Sequence, residues 1–109
     1  MEIHKIKKDS SVPRLEKNLE YDWNGSAVDL TGATVYFNMG NLTDYTAYHS
    51  GVCGITDRNT GSVYFEWDAI STGSIGTFWG EFEVDWGSGS IMTIPNEHDL
   101  QIEVYEDYN

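Results

Sequence analysis

Alternation of apolar and polar side chains dominates this chain, and it is cleanest over residues 76–86. Phe78, Phe82, Val84 and Trp86 fall on one side, with Gly80 as a small gap among them. Thr77, Glu81, Glu83 and Asp85 fall on the other, with Trp79 as the one large apolar exception. Successive strand side chains point to opposite faces, so the stretch predicts a half-buried β-strand with one wet, acidic side. Positions three and four apart do not gather apolar residues, which excludes an amphipathic helix.

The same period organises much of the remainder. Residues 2–8 predict a short edge strand, Ile3 and Ile6 standing among lysines that discourage pairing with another sheet. Asp9-Ser10-Ser11 is a turn, and Pro13 confines the next strand to an edge or to a start beyond it. Leu15, Leu19 and Tyr21 suit a strand to about residue 21, or a short helix over 14–21. Asn24-Gly25 is a strong hairpin signal. Residues 34–39 form a clear strand with Val35, Phe37 and Met39 on one face, and 40–51 a polar connection or a weak strand. A short strand at 52–55 follows, then the turn Asp57-Arg58-Asn59-Thr60-Gly61 and a strand over 62–68 with Val63, Phe65 and Trp67 inward. Residues 69–75 make a loop. Beyond the 76–86 stretch come the hairpin loop 87–90, a strand at 91–94, a turn at Pro95-Asn96-Glu97-His98 and a last alternating strand at 100–105. Trp23 and Tyr36 suit either face.

Roughly seven to nine short strands with closely spaced turns predict an all-β, immunoglobulin-like antiparallel β-sandwich. At 109 residues the chain makes one domain spanning 1–109, large enough for a core without staples. Four Trp, seven Tyr and four Phe argue against disorder despite a net charge of −12.

That charge is uneven. Residues 1–17 carry Lys5, Lys7, Lys8, Arg14 and Lys17 against three acids, a net of +2; residues 18–109 carry Arg58 against 15 acids, a net of −14. The acidic body repels nucleic acid and anionic membranes, so neither is an expected partner. The basic segment, an edge strand or an arm, either lies across its own body or seats on an acidic neighbour. Glu81, Glu83 and Asp85 are the matching acidic stripe, a solvated face or a subunit contact.

Candidate chemistry is sparse. Cys53 is the sole cysteine and sits in an apolar run, so it reads as a small buried hydrophobe. His4, His49 and His98 lack metal-ligand spacing, and no cofactor is expected. The acidic stripe offers paired carboxylates without a cleft. Phosphate-loop, dinucleotide and nucleophile-elbow patterns are missing, so no enzyme is expected. Tyr45, Tyr48 and Trp79 are candidates for a sugar-stacking platform. The apolar runs are too short to span a membrane, and the N-terminus lacks a signal-peptide pattern, so synthesis in a cytoplasm is expected.

Four motifs in order add a resemblance. Residues 29–35 with Phe37-Asn38-Met39 look like an "LTGATV.F.M" pattern; 61–67 are similar to "G.V.Y.W", with Phe65 at its Tyr; 76–84 resemble "G.Y.AEFEV", with Phe78 and Gly80 at its Tyr and Ala; and Thr93-Ile94-Pro95-Asn96 looks like "T.PN". Together they resemble the N-terminal domain of phage baseplate upper proteins and its stand-alone relatives in tailed phages, over residues 10 to 105. The resemblance implies an immunoglobulin-like sandwich that serves as a virion building block, binding other virion proteins without catalysis. The family's baseplate members continue into a helical, receptor-adaptor region, and a stand-alone domain without one is the expectation here. The expectation is therefore a small structural virion protein, present in multiple copies or as a homo-oligomer, in tail or baseplate. A capsid decoration protein is the alternative within that class, and a carbohydrate-binding module for host glycans the alternative outside it.

Overall fold

A computed structural model describes residues 2–21, 23–43, 46–68, 72–94 and 100–106. Its strands are β1 (Glu2–Lys7), β2 (Leu15–Asn18), β3 (Thr34–Asn41), β4 (Ala47–Val52), β5 (Gly54–Asp57), β6 (Ser62–Phe65), β7 (Gly76–Asp85), β8 (Ile91–Ile94) and β9 (Leu100–Tyr105). The larger sheet runs β1-β9-β7-β3-β4, with β8 also paired to β7; the smaller runs β2-β6-β5. Strands β9-β7-β3-β4 against β2-β6-β5 reproduce the strand neighbours of an immunoglobulin-like sandwich. Pairing is antiparallel except for β1, which adds to β9 in parallel at one edge. The large sheet is therefore mixed.

The longest alternation in the sequence becomes the central strand. β7 pairs with β3 along one side, from Thr34↔Asp85 to Asn41↔Phe78. Its other side is shared by β8 (Phe82↔Ile94 to Asp85↔Ile91) and β9 (Gly76↔Val104 to Gly80↔Leu100). Phe78, Phe82 and Val84 face the core with Val35, Phe37, Met39, Leu100, Ile102 and Val104. Val63, Phe65, Leu15 and Trp67 meet them from the other layer. The inward positions expected of these strands are buried except Trp86, which lies just beyond β7 and is only partly buried against the core. The gap at Gly80 is filled from the next strand: a Cβ there would come within 2.9 Å of the Phe37 ring.

Local chemistry holds the turns. Asp29 accepts hydrogen bonds from Thr31 N (3.0 Å) and Thr31 Oγ1 (2.7 Å), and Gly32 takes a φ of 76°. Arg58 Nη1 donates to the Leu30 and Ala33 carbonyls (2.6 and 3.1 Å), so the one cation of the acidic body braces this turn. Thr72 is fully buried. Its Oγ1 lies 3.1 Å from the Ser10 carbonyl and its own carbonyl accepts from Asp9 N (2.9 Å), tying the β6–β7 connection to the β1–β2 connection.

The structure corrects several boundaries. Residues 52–55 are not one strand. β4 ends at Val52 in the large sheet, β5 begins at Gly54 in the small one, and Cys53 alone crosses between them. Residues 14–21 contain strand, not helix, and β2 stops at Asn18. Among the described residues, the Asn24-Gly25 turn closes one isolated bridge, Glu20↔Ala27, and no named strand pair. β6 ends at Phe65, yet Trp67 remains buried because its Nε1 donates to the Pro13 carbonyl (2.9 Å). The turn expected at 95–98 lies outside the described residues, as do residues 69–71 of the expected loop.

Candidate interaction surface

The outer face of the large sheet gathers most of the residues singled out in the sequence. Register places them in cross-strand rows. Ile3, Gln101, Trp79, Gly40 and Ala47 form one row, and Lys5, Glu103 and Thr77 another. Thr93, Glu83, Tyr36 and Val52 form a third; Ile91, Asp85 and Thr34 a fourth. Glu81, Glu83 and Asp85 thus share one half-exposed stripe down β7. Asn38 Nδ2 donates to Glu83 Oε1 at 3.4 Å, and Asp85 Oδ1 accepts from Gly87 N at 2.8 Å.

The basic segment does not act as a unit. Lys5 and Lys7 project from β1 onto this same face, and Lys5 Nζ lies 3.9 Å from Glu103 Oε2. Lys8, half-buried, follows in the turn. Arg14 sits elsewhere: its guanidinium lies 4.0 Å above the Tyr64 ring on the small sheet and 3.0 Å from Glu16 Oε1. Lys17 pairs with Glu2, joining β2 of one sheet to β1 of the other. Arg14 and Lys17 thus lie away from the acidic face, and Lys5 and Lys7 are the cations placed on it.

Apolar groups mark the same face. Seven large hydrophobic side chains are exposed among the described residues, and Ile3, Val52, Ile91 and Tyr105 all point outward from this sheet. The other three, Val12, Trp23 and Ile75, lie in connections. They stand singly, Ile3 and Val52 at opposite edges and Ile91 and Tyr105 near opposite ends, so they stud the face without forming a contiguous patch.

Trp79 and Tyr48 do not form the sugar platform their spacing allowed. Trp79 points outward but is only 6% exposed, because it lies over Gly40, whose missing side chain leaves room for the ring. Tyr48 stacks on Phe78, centroids 4.7 Å apart, and packs against the core. Tyr45 lies outside the described residues.

Two features escaped sequence reasoning. His49 on β4 and Asp68 beyond β6 meet at 2.8 Å (Nε2–Oδ2), a contact between the sheets that no local spacing announces. His4 packs against Trp67, centroids 5.4 Å apart, with a buried Nε2 that has no hydrogen-bond partner. Burial lowers its pKa, opposed by the Pro13 carbonyl and by Glu2. Cys53 is buried, and desolvation pushes its thiol up to about 12, leaving it inert as a nucleophile. Among the described residues, no three His, Cys, Asp or Glu side chains group as a metal site. Two surface hollows, of about 280 and 310 Å³, are lined in part by Cys53 and Arg58 and by Arg14 and Trp67 respectively.

Fold and surface together define an immunoglobulin-like β-sandwich with one mixed-charge, apolar-studded sheet face. Neither family models, curated proteins nor solved structures give a match to this chain.

Proposed function

We propose that this protein is a structural building block of a tailed-phage particle, a tail or baseplate component that works by protein–protein assembly. One observation supports the assembly part of the reading: the outer face of the large sheet combines exposed apolar side chains with lysines at one corner and a carboxylate stripe down β7. Such a face suits protein partners, because apolar side chains supply burial and charges supply orientation. The four motifs are consistent with a scaffold. Gly32 and Gly61 adopt the positive φ that their turns require (76° and 68°), and Phe82 and Trp67 pack in the core. These are structural duties that leave the surface available for assembly.

Light scattering of the purified chain at moderate and high salt tests this. A homo-oligomer of defined size is expected. A monomer at every salt and concentration would overturn the tail or baseplate assignment and favour a decoration protein that orders only on a preformed shell.

A further inference from the structure

Resting on the assembly reading, we infer that the outer face of the large sheet docks against the same face of a second copy, around a two-fold axis. The charges on that face are arranged for it. Lys5 and Lys7 occupy the corner at β1, where Glu103 of β9 lies 3.9 Å from Lys5 and offsets one positive charge, while Glu81, Glu83 and Asp85 run down β7 toward the opposite end. Strands β1 and β7 are separated by β9, so the two zones are about 10 Å apart across the sheet. Lys5 lies level with Thr77 through Glu103, which places Glu83 about 20 Å further along the strand. A face with spatially separate opposite charges is complementary to a turned copy of itself. The two-fold brings each copy's lysines onto the other's stripe, so the favourable contact is made twice.

The apolar groups agree. Ile3, Tyr36, Val52, Ile91 and Tyr105 stand around and between the charged zones on this face. Docking covers them, and the outline, about 20 by 30 Å, lies at the lower end of stable interfaces. A second copy is favoured over a basic partner because the face supplies both signs of charge and the outward apolar residues itself. Each chain carries −12 overall, so copies repel at long range. Screening at about 0.15 M salt shortens that repulsion while close ion pairs persist; at about 1 M both vanish.

The test is sedimentation equilibrium of the whole chain at both salts. It covers the wild type, Lys5→Glu with Lys7→Glu, Glu83→Lys with Asp85→Lys, and the fourfold exchange, each checked for folding by circular dichroism. The wild type should dimerise at 0.15 M and weaken at 1 M. Each pair should weaken association at least tenfold, and the fourfold exchange should recover most of it. Lys7→Gln and Glu83→Gln serve in place of any charge reversal that fails to fold. Association that ignores both pairs, or that the exchange does not restore, overturns this face while leaving assembly through another surface, such as the uncharged edge β4, intact. Absence of any association overturns both readings.

Discussion

Gly40→Ala probes how an outward-facing tryptophan comes to be buried. Gly40 on β3 lies opposite Trp79 on β7, and a Cβ there would overlap both the Trp79 ring and the Thr46 carbonyl oxygen. The ring must yield, and the backbone around the Thr46 carbonyl must shift as well. A tryptophan buries about 150–250 Å², worth about 4–6 kcal/mol at ~25 cal/mol per Å² if wholly exposed. Displacement of about half the ring, together with an overpacking cost of about 1–3 kcal/mol partly shared with it, gives an expected loss of about 2–4 kcal/mol. Gly25→Ala is the control. Nothing lies within 4 Å of a Cβ there, and the φ of 72° alone imposes strain, about 1–2 kcal/mol. Urea unfolding followed by far-UV circular dichroism reads both. In a Trp79→Ala background, Gly40→Ala should cost at least about 1 kcal/mol less, since the ring it displaces is gone. Equal losses for Gly40→Ala and Gly25→Ala, or a double-mutant cycle additive within about 0.5 kcal/mol, would refute the packing argument.

Two further outcomes follow from buried titratable groups. With its thiol pKa raised to about 12, Cys53 should react with a disulfide reagent at neutral pH only as fast as the protein opens, and at once in urea; prompt stoichiometric labelling of the native chain would contradict its burial. His4 has its pKa lowered in the fold, so below about pH 6.5 the unfolded chain binds the extra proton and stability falls as pH drops, the loss being complete below the folded pKa. His4→Phe should therefore flatten the melting temperature between about pH 5 and 7 relative to the wild type, and parallel curves would show that His4 does not contribute.

Much of this fold is legible in local sequence, for a local reason. A strand in a two-layer sandwich has one wet and one dry face, and β3, β7 and β9 write that asymmetry directly into alternation. What stays hidden depends on partners distant in the chain. Trp79 breaks the pattern of its own strand and is rescued by Gly40, a small residue on the neighbouring strand. The division at Cys53 leaves no break in hydrophobicity, since a strand can change sheets without changing its composition; Gly54, which lies beneath the Tyr64 ring, is the nearest local mark of it. The candidate face was half visible. Its acidic stripe reads from β7 alone, but which lysines join it depends on the parallel β1–β9 pairing, and composition treats Lys5 and Lys17 alike.

The crossing at Cys53 also limits how the two layers can move. Stacked sheets commonly lie about 10 Å apart, whereas one residue spans at most ~3.6 Å of chain. Between Val52 and Gly54 the layers must therefore converge, and the edge closes like the spine of a book. The opposite side is joined by the longer segment between β1 and β2 and latched by Glu2 and Lys17. Sliding of one layer over the other is opposed at the spine, and lifting the β1–β2 side would break the Glu2–Lys17 pair and expose Ile6 and Leu15.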